Sequence, residues 1–339
     1  MTRFTTRSAP SHRPFRERGA ALLAAMLTVA LVATYAATAM WQQWRAIEVE
    51  SAERARIQSS WILIGALDWS RLILREDSFS RSDNTDNLTE PWSVPLEEAR
   101  LSTFLAAQRN VSQVEDASAE MDNAFLSGRI TDMQSRMNLF NLAGTPEQYE
   151  IALKQFTRLF TYLGLPQQEL ALIAKNMQQT KSLSTTSSQS APIPLLPQNI
   201  TQLTWWGVQQ STVSKLANYA TILPLVPAKL NLNTASAEAI WASAEGLDMS
   251  DAQRIVQTRD AHYFKTFDEA AKLLSNQTLI TDNLFDTSSS YFEIRGRMRI
   301  DQTIVEERSL VFKKRASVRT LWRVRGGFLR DSADTLGKS

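Results

Sequence analysis

The chain contains no cysteine and only two histidines, His12 and His262. The first absence excludes disulfides and thiolate-ligated metals, and it is compatible with an oxidising compartment without requiring one. The second leaves too little imidazole for a histidine metal site or a Ser-His-Asp catalytic triad, since His12 lies in a basic N-terminal stretch and His262 would have to serve alone. Neither sign of charge dominates. The formal net charge is +2, and much of it comes from Arg3, Arg7, Arg13, Arg16 and Arg18, so there is no electrostatic case for a nucleic-acid partner.

What the chain does have is one long apolar run. From Ala20 to Trp41 there is no charged residue, proline or glycine. About 20 apolar residues suffice for a helix to cross the hydrocarbon core, and a helix satisfies its backbone polar groups internally. The five arginines ahead of it, against the single acid Glu17, hold the N-terminus in the cytoplasm and send the rest across. Trp41 and Trp44 mark the far interface. A cleaved secretory signal and a plain single-span anchor are two readings of this run; its length and the helical pattern beyond it speak against the first.

A third reading starts from Gly19. The sequence Arg18-Gly19-Ala20-Ala21-Leu22-Leu23-Ala24 resembles a type IV prepilin leader, which is cut after the glycine on the cytoplasmic side so that the apolar segment stays. The resemblance makes Gly19 and Ala20 the processing residues and prepilin peptidase the processing partner. Most such proteins carry a glutamate at the fifth mature position, where this chain has Ala24. That departure is the pattern of the minor pseudopilin K of type II secretion systems.

Beyond the apolar run the helical pattern continues to about Leu74, with Ile47, Ala55, Ile62, Ala66, Trp69 and Ile73 recurring at helical spacing. The expected helix has roughly 50 residues and a length of about 75 Å. Arg75 to Pro95 breaks the pattern. Glu76, Asp77, Asp83, Asp86 and Glu90 form a polar loop that either is solvated or binds calcium, which takes oxygen ligands in flexible loops. The spacing matches no EF-hand. The order Asp86, Leu88, Glu90, Trp92 is similar to a stretch of the K family. Ser102 to Val114 is irregular or strand.

Two motifs are more specific. In the first, Gly128, Ile130, Asp132, Gln134, Arg136, Asn138, Leu139, Asn141 and Leu142 fit a K-family pattern at fixed spacing, with Ser135, Met137 and Phe140 departing from it. Ser127-Gly128 is expected to be a hairpin turn. Nothing nearby supplies a nucleophile that would make Asp132, Gln134 and Arg136 catalytic. The second motif runs Asn231-Leu232-Asn233-Thr234-Ala235 and continues through Gly246, Asp248 and Phe267. It resembles a helix-hairpin-helix module, with Thr234 and Ser250 as candidate helix caps. In some proteins that module binds DNA phosphates through backbone N–H groups of a Gly-x-Gly hairpin. Here Asp248 stands where the second glycine would, and a carboxylate beside a phosphate is repulsive.

Between the motifs, Thr145-Pro146-Glu147 starts a helix that Gly164 ends, and Pro166 starts another reaching Gln179. Thr180 to Pro197 reads as a linker or surface loop. Trp205 and Trp206 are expected to be buried, and Val213 to Leu225 to be a further helix with a Pro-containing turn. In the last part, Phe292, Ile294, Gly296, Met298 and Ile300 alternate with Glu293, Arg295, Arg297 and Arg299, the pattern of an antiparallel strand with one covered face. Two more strands follow, and residues 328–339 form a loose tail.

The expected fold is α+β: a pilin-like long N-terminal helix packed on an antiparallel sheet, with a large inserted, mostly helical domain. The expected divisions are a leader at 1–19, a membrane-spanning half-helix at 20–41, a first pilin-like part at 42–139, the insert at 140–285 with its hairpin module at 229–274, closing strands at 286–327 and the tail at 328–339. The resemblance implies a structural protein rather than an enzyme. It implies a single-pass inner-membrane protein with a periplasmic bulk, minor pseudopilins I and J as partners, no nucleic acid, and calcium as a cofactor with unknown ligands. The family's part is to form the tip of the pseudopilus and promote its assembly for the export of folded proteins. The rival reading is a membrane-anchored periplasmic DNA-binding or uptake protein that uses the hairpin module.

Overall fold

The computed structural model describes residues 18–80, 83–103, 123–182, 194–300, 303–315 and 317–326. The leader up to residue 17, most of the 102–114 stretch, the middle of the 180–197 linker and the tail lie outside the described residues. The chain divides into two compact units, one up to Ile57 and one from Gln58 onward.

In the first unit the described residues are a single helical stretch. Leu22, Leu23, Met26, Leu31, Val32 and Trp41 are all exposed. Among the described residues none covers this apolar surface, and the helix is long and apolar enough to cross a membrane. The helix, α1, spans Arg18–Ser80, so it outlasts its expected end by a turn and a half. Glu76, Asp77 and Ser78 do not break it, because neither proline nor glycine intervenes before Pro91 and Leu74 at its core-facing side is fully buried.

The second unit is built on a five-stranded sheet in the order β1-β2-β7-β8-β9. These are β1 (Leu96–Arg100), β2 (Ala124–Asp132), β7 (Tyr291–Ile300), β8 (Thr303–Lys314) and β9 (Ser317–Arg325). Every neighbouring pair is antiparallel. Phe292, Ile294, Val311 and Val318 form one inner surface with Leu67 and Leu74 of α1 and with Trp92. Trp92 meets Phe292 edge to face at 5.1 Å. Each large apolar side chain removed from water here contributes about 2–3 kcal/mol. The opposite surface at the Tyr291 end packs Met133, Leu223, Tyr291 and Leu310 together.

Ser127-Gly128 is not a turn. β2 runs straight through it, and Gly128 faces Gly296 of β7. A Cβ on Gly128 would lie 2.9 Å from the carbonyl oxygen of Arg295, so the glycine answers close strand approach rather than a reversal. The arginines of β7 face acids: Arg297 and Arg295 reach Glu306, Arg299 reaches Glu98, and Glu293 meets Arg308 of β8.

A separate core gathers residues from Met137 to Phe285. Its elements are β3 (Met137–Asn138), α2 (Pro146–Leu163), α3 (Gln167–Ser182), α4 (Gln210–Leu216), β4 (Ala220–Thr221), β5 (Leu230–Asn231), α5 (Ala237–Ser243), α6 (Met249–Ala261), α7 (Phe267–Ala271) and β6 (Phe285–Asp286). Thr145 and Gln148 form a capping box at the start of α2, and Gly164 ends it in the left-handed conformation at φ 64°. The helix expected over 213–225 is shorter and earlier, because the chain leaves α4 to pair Ala220 and Thr221 in parallel with Met137 and Asn138. Leu203 is buried, but Trp205 is 59% exposed and only Trp206 packs against the core.

Candidate functional site: a buried polar joint

The two sequence motifs meet at one carboxylate. β2 ends at Asp132, whose side chain caps the short 3-10 turn Met133–Ser135. Its Oδ1 accepts from the Gln134 amide at 2.8 Å. Its Oδ2 accepts from Thr234 Oγ1 at 2.5 Å, Ser289 Oγ at 2.7 Å and Asn231 Nδ2 at 3.0 Å. Asp132 is buried. Burial pushes its carboxyl pKa up, and the hydrogen bonds from Thr234, Ser289, Gln134 and Asn231 work against that rise.

Each polar side chain of the Asn231–Thr234 segment has work at this joint. Asn231 Nδ2 also lies 3.0 Å from the Asp86 carbonyl and 2.9 Å from Ser289 Oγ, and its Oδ1 accepts from the Asn233 amide. Asn233 exchanges two hydrogen bonds with the backbone of Phe264, each 2.8 Å. Thr234 therefore does not cap the next helix. Ser236 does, accepting from the Ala239 amide. Likewise α6 begins after Asp248, not Ser250, and Asp248 makes no side-chain capping bond.

The first motif reads backbone across the joint. Gln134 Oε1 accepts from the Ser290 amide at 2.7 Å. Asn138 donates to the carbonyls of Leu223 and Leu225 and accepts from the Leu223 amide. Asn141 brackets Ala228, donating to its carbonyl and accepting from its amide. Amide side chains suit this task because each offers a donor and an acceptor. Asp132 gathers two hydroxyls and two N–H donors from three separate segments of the chain and so ties them together.

The hairpin before α6 keeps Gly246 at φ 90°. Its carbonyls are already engaged: Arg158 of α2 donates to those of Ala244 and Leu247. Glu245 pairs with Lys154, and the exposed Asp248 follows.

A second polar centre adjoins the first through Asp86, whose Oδ2 accepts from the Ser289 amide at 2.7 Å. Asp77 of α1, Asp86 and Glu90 are, among the described residues, the one group of three acids whose oxygens lie within 4.8 Å of one another. Burial pushes the Asp86 carboxyl up to about 6, with the Lys313 charge pulling the other way. Lys313, near the end of β8, donates to Asp86 and, at 3.3 Å, to Asp77. Burial opposes its ammonium, but the charges of Asp86 and Asp77 outweigh this and raise its pKa. Glu90 accepts from Asn87 Nδ2 at 2.8 Å and from the Trp92 indole. Both oxygens of Asp86 and of Glu90 are thus hydrogen-bonded within the protein. Calcium takes six to eight oxygen ligands, and this cluster, with an ammonium in its midst, does not fit it.

Gly19 and Ala20, the expected processing residues, lie in the first turn of α1. Asp132, Gln134, Asn138, Asn231 and Thr234 come together, while Arg136 lies to one side, lining a cleft of about 240 Å³ with Glu147 and Lys229. Sequence reasoning missed Ser289 and Lys313. Neither stands in a motif, and only their distance from the acids in the folded chain gives them a role.

Comparison with known proteins bears on this arrangement. Residues 230–288 match the family model for type II secretion system (T2SS), protein K. A type II secretion system protein K of Pseudomonas aeruginosa is 25% identical, covering 95% of this chain and 93% of its own length. A protein of the same name from Pectobacterium carotovorum subsp. carotovorum is 22% identical over 92% of this chain and 98% of its own length. In the crystal structure of the GspK-GspI-GspJ complex from the enterotoxigenic Escherichia coli type 2 secretion system, one chain shares the fold, with a TM-score of 0.59, 16% identity, and coverage of 82% of this chain and 99% of that one. The family model spans the Asn231 motif and Ser289's neighbour Ser288, and the resemblance read from the residues holds along nearly the whole chain: this protein is similar throughout to the type II secretion system protein K family.

Proposed function

We propose that the protein is a minor pseudopilin of a type II secretion system. It sits in the inner membrane by the apolar half of α1, with its bulk in the periplasm. Prepilin peptidase cuts between Gly19 and Ala20 and leaves the apolar segment in place. With minor pseudopilins I and J it forms the tip of the pseudopilus and promotes pseudopilus assembly for the export of folded proteins. Its role is structural and not enzymatic.

One observation carries this reading above the others. The two motifs that give the resemblance, around Asp132 and around Asn231, share a single buried joint. They therefore describe one architectural device rather than two chance matches. The solved neighbour, in turn, was crystallised with the I and J subunits. The sequence adds a physical reason for the tip. Ala24 offers no carboxylate to pair with the mature N-terminal amine of a neighbouring subunit, an interaction that a repeating shaft position calls for.

The test has two arms. Mass spectrometry of the chain purified from cells with and without prepilin peptidase reads the N-terminus. The expected mature chain begins at Ala20 only when the peptidase is present, and an uncut N-terminus in its presence defeats the proposal. Co-purification with minor pseudopilins I and J, expressed together in one membrane, reads the partners. A stable ternary complex is expected, and its absence with all three proteins folded and processed counts against the tip role.

A further inference from the structure

The cluster of Asp77, Asp86 and Glu90 joins three parts of the second unit. Asp77 belongs to α1, Asp86 and Glu90 to the following loop, and the Lys313 ammonium that reaches the two aspartates to β8. Carboxylates this close repel one another unless a cation lies among them. In many folds that cation is a metal. Here the chain supplies its own.

The surroundings of the ammonium select for an organic cation. Lys313 Nζ lies 5.0 Å from the centre of the Phe292 ring, on its face. An aromatic face attracts a compact ammonium but offers no oxygen lone pair to a divalent ion, which needs a full oxygen shell. Trp92 backs this ring and at the same time donates its indole N–H to Glu90. Asn87 takes the other Glu90 oxygen, and the Ser289 amide takes the second oxygen of Asp86. Lys313 is 9% exposed, and its own amide is held by the Ser290 carbonyl at 2.7 Å. The ammonium is therefore fixed by backbone as well as by charge.

We propose that Lys313 is the resident cation of the Asp77–Asp86–Glu90 cluster, that it excludes divalent metal from this joint, and that the joint holds without calcium. The inference stands apart from the pseudopilin reading, since it concerns the stability of the fold and not the partners.

The test uses the full chain in detergent micelles and follows thermal unfolding in excess calcium and in EGTA. For the natural sequence, any calcium-dependent shift in Tm should be unchanged by Glu90→Gln and by Asp77→Asn. A shift that either substitution abolishes overturns the proposal, because calcium then binds the cluster beside or in place of the lysine. Lys313→Ala removes the ammonium and opens its space. In EGTA this variant should melt lower, and calcium should raise its Tm by about 5 °C, a gain that Glu90→Gln in the same chain removes. A folded Lys313→Ala variant with no calcium response overturns the claim that the lysine is what keeps metal out. Should that variant fail to fold, the comparison of the natural chain with Glu90→Gln and Asp77→Asn decides the matter by itself.

Discussion

Asn231 Nδ2 and Asp132 Oδ2 lie 3.0 Å apart, both residues buried, and 99 positions separate them in the chain. The contact ties the last residue of β2 to the last residue of β5, and so ties the sheet to the helical core. Removing the carboxylate takes the acceptor from the Thr234 and Ser289 hydroxyls and the Gln134 amide, and leaves Asn231 Nδ2 with the Asp86 carbonyl and Ser289 Oγ. Asp132→Ala should therefore cost about 3–5 kcal/mol of unfolding free energy. Asn231→Ala should cost less, and the double variant should fall short of the sum by about 1–3 kcal/mol. Urea unfolding of the four chains measures this coupling. Strict additivity would mean that the two motifs are only neighbours.

Two glycines should respond oppositely to alanine. Gly65 is exposed inside α1, and a Cβ there meets nothing within 4 Å. Gly65→Ala should raise stability by about 1 kcal/mol, since alanine restricts the unfolded chain and favours helix. Gly128→Ala drives a methyl against the backbone oxygen of Arg295. Backbone cannot swing aside as a side chain does, so the loss should be about 1–3 kcal/mol. The pair of melting curves separates packing demand from helix propensity with one kind of substitution.

The hairpin before α6 should leave duplex DNA unbound. Glu245, Asp248 and Asp251 lie along it, and carboxylates repel the phosphates that its amides would have to meet. Gel-shift titration at low salt, where any phosphate contact is strongest, should show no retardation. A shift that fades as salt rises would restore the DNA-binding reading of this module.

Much of this architecture was legible in the chain. The alternation from Phe292 to Ile300 marked a strand, and Thr145, Gly164 and Pro166 marked helix ends, because these signals act over a few residues. The motif residues Asp132 and Asn231 stood out by spacing, but what they do did not. Asp132 meets Ser289 across 157 positions, and Asp86 meets Lys313 across 227. No local pattern encodes such pairs. Lys313 was hidden for a further reason: both faces of β8 are covered near its end, so polar–apolar alternation fails there. Ser127-Gly128 read as a turn because glycine has two uses, conformational freedom and lack of bulk, and sequence does not say which applies.

Asp86 predicts a dependence on pH whose sign is unusual for an acid facing a lysine. Burial pushes its carboxyl up to about 6 from an unfolded value of 3.8, against the downward pull of Lys313. The folded chain thus binds this proton more tightly than the unfolded chain does. The stability it contributes is fullest below the unfolded value, declines as pH rises from about 4 to about 6, and is gone above that. The step is about 3 kcal/mol. Lys313 keeps its charge throughout this window, because Asp86 and Asp77 hold its pKa up; its contribution is lost only at alkaline pH. Asp132, also raised by burial, slopes the same way, so the absolute curve mixes two acids. Asp86→Asn separates them. The difference in unfolding free energy between the natural chain and this variant should fall across pH 4 to 6 and then level. A difference that is flat, or that grows with pH, would mean that the ion pair with Lys313 outweighs burial and that the Asp86 carboxyl lies below its ordinary range.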